Sequence, residues 1–215
     1  MKNVAIIPAR GGSKEIENKN IIDINGKPLI CHSLKACFEC KSIDYVAVST
    51  DSDEISKVVR EYYPDTIIIK RPFVLATDLA TSEGAILHAI DILEKKISKI
   101  KNIIFVQATS PLSLPNDFSR MILMLEEFDS VAFYIDDFGF FFDVHDMSIP
   151  RQPRQLRTPL KREVGNAWAF DKNEFKVHKS RLFGNIGYEK IDPPRHLEID
   201  TISDIFMIES ILNNY

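Results

Sequence analysis

The chain has 215 residues, 45% of them hydrophobic, enough to bury a full core, and domains usually run to about 100–200 residues. Its 27 lysines and arginines are outnumbered by 31 aspartates and glutamates, and the net charge of −4 excludes a general basic surface for nucleic acid or anionic membrane. Any polyanion site must be local, and a single domain over residues 1–215 is expected.

The opening run from Met1 to Pro8 is broken by proline and is too short for a signal segment or a membrane span, so a cytoplasmic protein is expected. Val4 to Pro8 reads as a strand ending in Ala9-Arg10-Gly11-Gly12-Ser13-Lys14. After a polar loop, Ile30, Leu34, Cys37 and Phe38 recur at helical spacing. Tyr45 to Ser49 is a second strand, and Asp51, Asp53 and Glu54 open a helix carrying Ile55, Val58, Val59 and Tyr62. Thr66 to Ile69 is a third strand, cut off by Lys70-Arg71-Pro72, and a helix from about Ser82 sets Ile86, Leu87, Ile90 and Leu93 on one face. Ile103 to Val106 is apolar on both sides, which predicts a central strand. Gln107-Ala108-Thr109-Ser110-Pro111 closes it, and Phe118, Met121, Ile122 and Leu125 mark the next helix.

After a strand at Ser130 to Ile135 the pattern breaks down into aromatics, prolines and clustered arginines. Residues 136–163 read as an inserted oligomerisation arm. Regular structure resumes at Gly165 to Phe170, and Thr201-Ile202-Ser203-Asp204 is a capping-box pattern opening a last helix with Ile205, Ile208 and Ile211 or Leu212 inward. Strands alternating with amphipathic helices predict an α/β fold, Rossmann-like, with a mostly parallel central sheet. Cys31, Cys37 and Cys40 have neither zinc nor disulfide spacing and read as reduced helix residues.

The Ala9–Lys14 stretch follows its strand directly, at the carboxyl edge where open α/β sheets bind ligands. Gly11 and Gly12 let backbone N–H groups approach phosphate oxygens, and Arg10 and Lys14 add charge-assisted bonds; the alternative is an ordinary Gly-Gly turn with two solvated cations. Neither the Walker A nor the dinucleotide glycine spacing is present. Lys19, Asn20 and Lys27 extend the cationic loop. Asp51, after the second strand, suits a base, a ribose or a metal equally as well as a helix N-cap. Arg71 suits a phosphate or simply ends a strand, whereas Gln107, Thr109 and Ser110, after the central strand, are pocket-lining candidates.

Glu198-Ile199-Asp200 has period-two spacing, so an extended strand would point both carboxylates to one side, as magnesium held between protein and phosphate oxygens requires. The alternative is a solvated face with Asp200 helping to cap the last helix. Arg151, Arg154, Arg157, Lys161 and Arg162 suit a carboxylate or phosphate ligand, a salt-bridged dimer arm, or both. The five histidines show no metal or nucleophile spacing and read as structural or surface residues.

Taken in order, Ile7-Pro8-Ala9-Arg10-Gly11-Gly12-Ser13-Lys14 with Lys19-Asn20, Val48-Ser49-Thr50-Asp51, Lys70-Arg71-Pro72 with Leu75-Ala76-Thr77-Asp78, and Gln107 to Leu112 resemble the acylneuraminate cytidylyltransferase family over nearly the whole chain. The resemblance implies a transfer from CTP to an acidic sugar of the sialic, legionaminic or pseudaminic type, giving a CMP-sugar and pyrophosphate. It implies that Ala9, Arg10, Gly11, Gly12, Ser13, Lys14, Lys19, Asn20, Asp51, Arg71 and Thr77 bind the nucleotide, with Lys19, Arg10, Lys14 and Asp200 at the reacting phosphates. It further implies that Gln107, Thr109, Ser110, Arg154, Gln155 and Arg162 contact the sugar, that Asp200 and Glu198 hold Mg2+, and that the chain forms a homodimer with an exchanged arm. Alternatives are a Kdo-type or other small acidic acceptor, and a relative that binds nucleotide without turnover. The chain departs from the family pattern at Glu15, Glu17, Ser113, Glu198 and the Glu163-Val164-Gly165-Asn166 stretch.

Overall fold

The computed structural model of the chain describes residues 1–13, 15–140 and 152–214. Nine strands and six α-helices are seen among them: β1 (Lys2–Pro8), β2 (Asp23–Ile24), β3 (Lys27–Pro28), α1 (Leu29–Glu39), β4 (Tyr45–Thr50), α2 (Asp53–Tyr62), β5 (Ile67–Lys70), α3 (Ser82–Leu93), β6 (Ile100–Val106), α4 (Pro115–Met124), β7 (Ser130–Asp137), β8 (Leu160–Asp171), α5 (Lys172–His178), β9 (Ile186–Lys190) and α6 (Ile202–Leu212). Seven strands form one sheet in the order β5-β4-β1-β6-β8-β7-β9, and β2 pairs with β3 in a small separate ribbon. The apolar run ending at Val106 is the fourth of the seven strands, where a strand buried on both faces belongs.

Alternation along the strands builds two cores, one on each face of the sheet. Ala5 and Ile7 of β1 pack with Ile30 and Leu34 of α1, Ile55 and Val59 of α2, and Phe118 and Met121 of α4. Val4 and Ile6 face the other way, toward Ile86, Ala89, Ile90 and Leu93 of α3 and Phe175 of α5. A smaller core joins Ile24, Leu29 and Leu112 to Ile199 and to Ile208 of α6. Phe38 and Tyr62, placed with the inward positions of their helices by periodicity, are 38% and 45% exposed. Phe38 instead stacks on Tyr63, centroids 5.2 Å apart, at the rim of the first core.

Pairing is parallel between β5 and β4, β4 and β1, β1 and β6, and β7 and β9. β8 runs antiparallel to both of its neighbours. The start of the expected arm is therefore a continuation of the β7–β8 ladder, which reaches Asp137 opposite Leu160, and Arg154–Leu156 adds a 3-10 turn. Lys14, and His145 and Arg151 within the arm, lie outside the described residues. No described helix is long and apolar enough to cross a membrane. With β1, β4, β5 and β6 parallel, the segments that follow them, bearing Arg10, Asp51, Arg71 and Gln107, emerge along one sheet edge.

Candidate active site

The loop after β1 is fastened to the next strand before it opens. The Ala9 N–H donates to Ser49 O at 2.9 Å, and the Arg71 N–H to Thr50 O at 2.8 Å, each prolonging a ladder by one step. Gly11 donates its N–H to Asp51 Oδ1 at 2.9 Å. This bears on two readings left open above. Only one of the paired glycines keeps a free N–H direction for a ligand, and the N-cap of α2 is Ser52, whose hydroxyl accepts from Ile55 N, so Asp51 braces the loop instead of capping the helix. A Cβ on Gly11 would meet Ser52 Cβ at 2.9 Å, whereas one on Gly12 would meet no atom within 4 Å. Gly11 thus serves loop packing, and the exposed Gly12 faces open space.

Asn18 adopts a left-handed φ of 52°, a conformation asparagine tolerates, and this turns the chain into a 3-10 turn at Lys19–Ile21. Asn20 is buried and donates its Nδ2 to Arg10 O at 2.9 Å, tying that turn to the glycine loop. Between these loops and the 75–82 segment lies a cleft of about 300 Å³. Of the nucleotide and sugar positions expected from sequence, Arg10, Lys19, Asn20, Arg71, Thr77, Gln107 and Thr109 line it; Ala9, Gly11, Gly12, Ser13, Asp51 and Ser110 do not. Ser110 is buried, and its hydroxyl has no partner among the described residues. Asp78 and Thr81 line the cleft without having been singled out as site residues. Glu15 and Glu17 are exposed and do not line it.

The cleft is cationic, and its cations are held in place. Arg10 Nη1 contacts Asp78 Oδ1 at 2.7 Å, and Lys19 Nζ contacts Asp200 Oδ1 at 2.9 Å. Arg71 is 7% exposed; its Nε donates to Ser49 Oγ at 3.1 Å and a terminal nitrogen donates to Ser49 O. Burial lowers the pKa of this guanidinium, Asp51 opposes that and nearby Arg10 adds to it, an environment that a bound anion would relieve. Behind Arg71 lies His88, whose Nδ1 is buried without a partner among the described residues. Burial and the Arg71 charge hold the imidazole below its ordinary pKa.

The acid pair is not on a strand, contrary to the period-two reading. Ile199 is fully buried in the small core and donates its N–H to Thr109 O at 2.9 Å, which sets Glu198 and Asp200 near Lys19 of the cleft wall, although neither acid lines the cleft itself. Glu198 lies so close to Gly165 that a Cβ there would meet its Oε1 at 2.3 Å. Burial and then the charge of Asp200 push the Glu198 carboxyl above its ordinary range, against hydrogen bonds from the Gly165 N–H and the Thr109 hydroxyl and the charge of Lys19. Asp200 is exposed and shares Lys19.

The arginine cluster stands apart. Arg154 and Gln155 are exposed, Arg154 covers the Phe138 ring at 4.9 Å, and Arg162 Nε pairs with Asp137 Oδ2 at 3.0 Å. None of Arg154, Gln155 and Arg162 lines the cleft.

A cleft lined by Arg10, Lys19 and Arg71 at the carboxyl edge of such a sheet marks an α/β protein with a ligand site suited to an anion. The cytidylyltransferase family model matches residues 4–208, and the chain belongs to that family. It is similar to pseudaminic acid cytidylyltransferase of Campylobacter jejuni, 41% identical over 116 residues that cover 52% of this chain and 48% of the relative. It is 36% identical to N-acylneuraminate cytidylyltransferase of Escherichia coli over 51% of this chain and 25% of the relative, and 33% identical to CMP-N,N'-diacetyllegionaminic acid synthase of Legionella pneumophila over 54% and 49%. The matches thus span about half the length of these curated relatives or less. In fold, the chain resembles CMP:2-keto-3-deoxy-manno-octonic acid synthetase, solved with CTP, with a TM-score of 0.74 over 100% of this chain and 99% of that one at 16% identity.

Proposed function

We propose that the chain is a cytoplasmic nucleotidyltransferase that couples CTP to an acidic nonulosonic sugar, forming a CMP-sugar and releasing pyrophosphate. The observation that carries this reading is the meeting of Arg10, Lys19 and Arg71 in one cleft with Glu198 and Asp200 at its side. The named relatives supply the choice of cytosine nucleotide and acidic sugar.

In this reading Arg10 and Lys19 exchange their present partners, Asp78 and Asp200, for phosphate oxygens, and Gly12 offers its N–H beside them, with Lys14 adding charge. The sugar hydroxyl, giving up its proton to water, attacks the α-phosphorus; the new P–O bond forms as the bond from that phosphorus to the bridging oxygen breaks, and the leaving pyrophosphate takes up the negative charge. Lys19 and Arg10 offset that growing charge from fixed positions, so the protein's part is alignment and electrostatics. Glu198 and Asp200 suit Mg2+. They are hard oxygen donors, and two carboxylates with phosphate oxygens and water are the usual magnesium set. Burial that raises the Glu198 carboxyl is relieved by a neighbouring cation. When bound, the ion supplies positive charge at the phosphates and favours loss of the hydroxyl proton.

The same reading assigns residues 136–163 to a second copy of the chain, in a homodimer where Arg154, Gln155 and Arg162 reach the partner's sugar. Its support is that these side chains miss their own cleft while Leu156 and Leu160 are 74% and 55% exposed beside them. Lys19→Ala and Asp200→Ala test the assignment of the cleft. Each is expected to cut turnover by about 10²-fold or more while leaving the melting temperature within a few degrees, and near-normal rates would defeat it.

A further inference from the structure

The segment that carries the acid pair is held from behind by a second polar cluster, outside the cleft. Asp117, the third residue of α4, is 1% exposed. Its carboxylate accepts from Leu114 N at 2.9 Å and from Arg120 Nη2 at 3.0 Å, and Arg195 Nη1 spans both of its oxygens at 2.6 and 2.5 Å. Arg195 is also fixed by its main chain: its carbonyl accepts from Nδ2 of the fully buried Asn166 at 2.8 Å. Asn166 directly follows Gly165, against which the Glu198 carboxylate packs too closely to admit a Cβ. Arg195 is therefore tied to α4 by its side chain and to β8 by its backbone, three residues ahead of Glu198.

That tie matters because residues 191–200 form neither helix nor strand. Main-chain bonds join this segment to the body of the fold near its ends, Ile191 N to Tyr134 O and Ile199 N to Thr109 O, both at 2.9 Å. Its internal turns, Arg195 N to Asp192 O and Leu197 N to Pro194 O, do not fix it against anything else. Asp117 needs no help from Arg195 to cap α4, since the Leu114 N–H and Arg120 already engage it. The Arg195 contact consequently serves the segment more than the helix. Groups that hydrogen-bond a metal ligand directly control about 10–100-fold in metal affinity or activity, and a tie one link further back, as at Arg195, acts at the lower end of that range.

We infer that Arg195, held by the buried Asp117, is a positioning residue that sets the affinity of the Glu198–Asp200 pair for a divalent cation. The inference rests on the proposed function, because it takes that pair as the cation site. Arg195→Met removes the tie while leaving Asp117 paired with Arg120, so the chain keeps a satisfied core; Arg195→Lys restores one charged contact.

The test is a titration of the full chain with Mn2+ in the presence of CTP, read by the electron paramagnetic resonance of the free ion. CTP binding without metal is measured by calorimetry and melting temperature is recorded in parallel. Arg195→Met is expected to weaken Mn2+ binding about tenfold with metal-free CTP binding within about twofold of wild type, and Arg195→Lys to recover most of the loss. Wild-type Mn2+ affinity in Arg195→Met overturns the inference, as does a joint fall in Mn2+ and CTP binding that tracks a lowered melting temperature. A wild-type chain that binds CTP but no Mn2+ defeats the assignment of Glu198 and Asp200 itself, a failure separate from either variant result.

Discussion

Replacing Gly165 with alanine tests the acid pair without touching a carboxylate. The added Cβ would meet Glu198 Oε1 at 2.3 Å, Cδ at 3.1 Å and Oε2 at 3.2 Å, where ordinary contact begins near 3.4 Å. The backbone at Gly165 has no positive φ, so alanine is tolerated there, and the clash is with the end of a flexible side chain. Glu198 must therefore withdraw from Gly165 by about 1 Å. A displacement of about 1 Å in a reacting constellation costs roughly 10²-fold in rate. Stability should change by no more than about 1 kcal/mol, since a half-buried carboxyl is moved and not orphaned. The assay is magnesium-dependent pyrophosphate release alongside urea denaturation. Wild-type turnover at wild-type magnesium dependence would refute the placement of Glu198 in the site, and a large loss of stability would refute the claim that this glycine serves the site and not the fold.

Gly12→Ala meets no protein atom within 4 Å, so its denaturation midpoint should equal that of wild type while calorimetry shows CTP binding weakened about tenfold. Gly11→Ala meets Ser52 Cβ at 2.9 Å and should instead lower stability by about 1–3 kcal/mol; a reversed pattern would contradict the division of labour between the two glycines. Burial pushes the Glu83 carboxyl up, but the hydrogen bond and charge of Arg181, at 2.7 Å, outweigh it and hold the group below its ordinary value of 4.5. A carboxyl lowered on folding stabilises the protein fully above its unfolded pKa and loses that contribution as pH falls through the folded one. Glu83→Gln should therefore cost about 1 kcal/mol at pH 7 and flatten the acid limb of stability below pH about 4.5, and parallel curves for variant and wild type would be inconsistent with this pair.

Local chemistry was legible. Thr201 and Asp204 form the capping box that opens α6, and the wholly apolar Ile103–Val106 run sits at the centre of the sheet. What escaped was set by contacts distant in sequence. The apolar stretch at Gly165–Phe170 announces burial but not direction, and the antiparallel course of β8 is decided only by its pairing with β6 and β7. β9 spans five residues with Tyr188 46% exposed, too short and too mixed to show a period. The acid pair stands near Lys19 because Ile199 between its members is buried and bonded to Thr109, not through strand alternation. Asn166 and Gly165 fall where the chain departs from the family pattern. Their role, gripping Arg195 and Glu198, depends on a segment about thirty residues further on. The Lys19–Asp200 contact joins residues 181 positions apart, a separation no local pattern reports, so only the resemblance of each segment to a family motif brings the two together in the sequence.

The most direct measurement is pyrophosphate release by the purified chain with CTP and Mg2+, run separately with sialic, legionaminic, pseudaminic and Kdo-type acceptors and with the other nucleoside triphosphates as controls. Release is expected with CTP and a nonulosonic acceptor and none with ATP, GTP or UTP. Silence with every acceptor despite measurable CTP binding would contradict it and mark the chain as a nucleotide-binding relative without this activity.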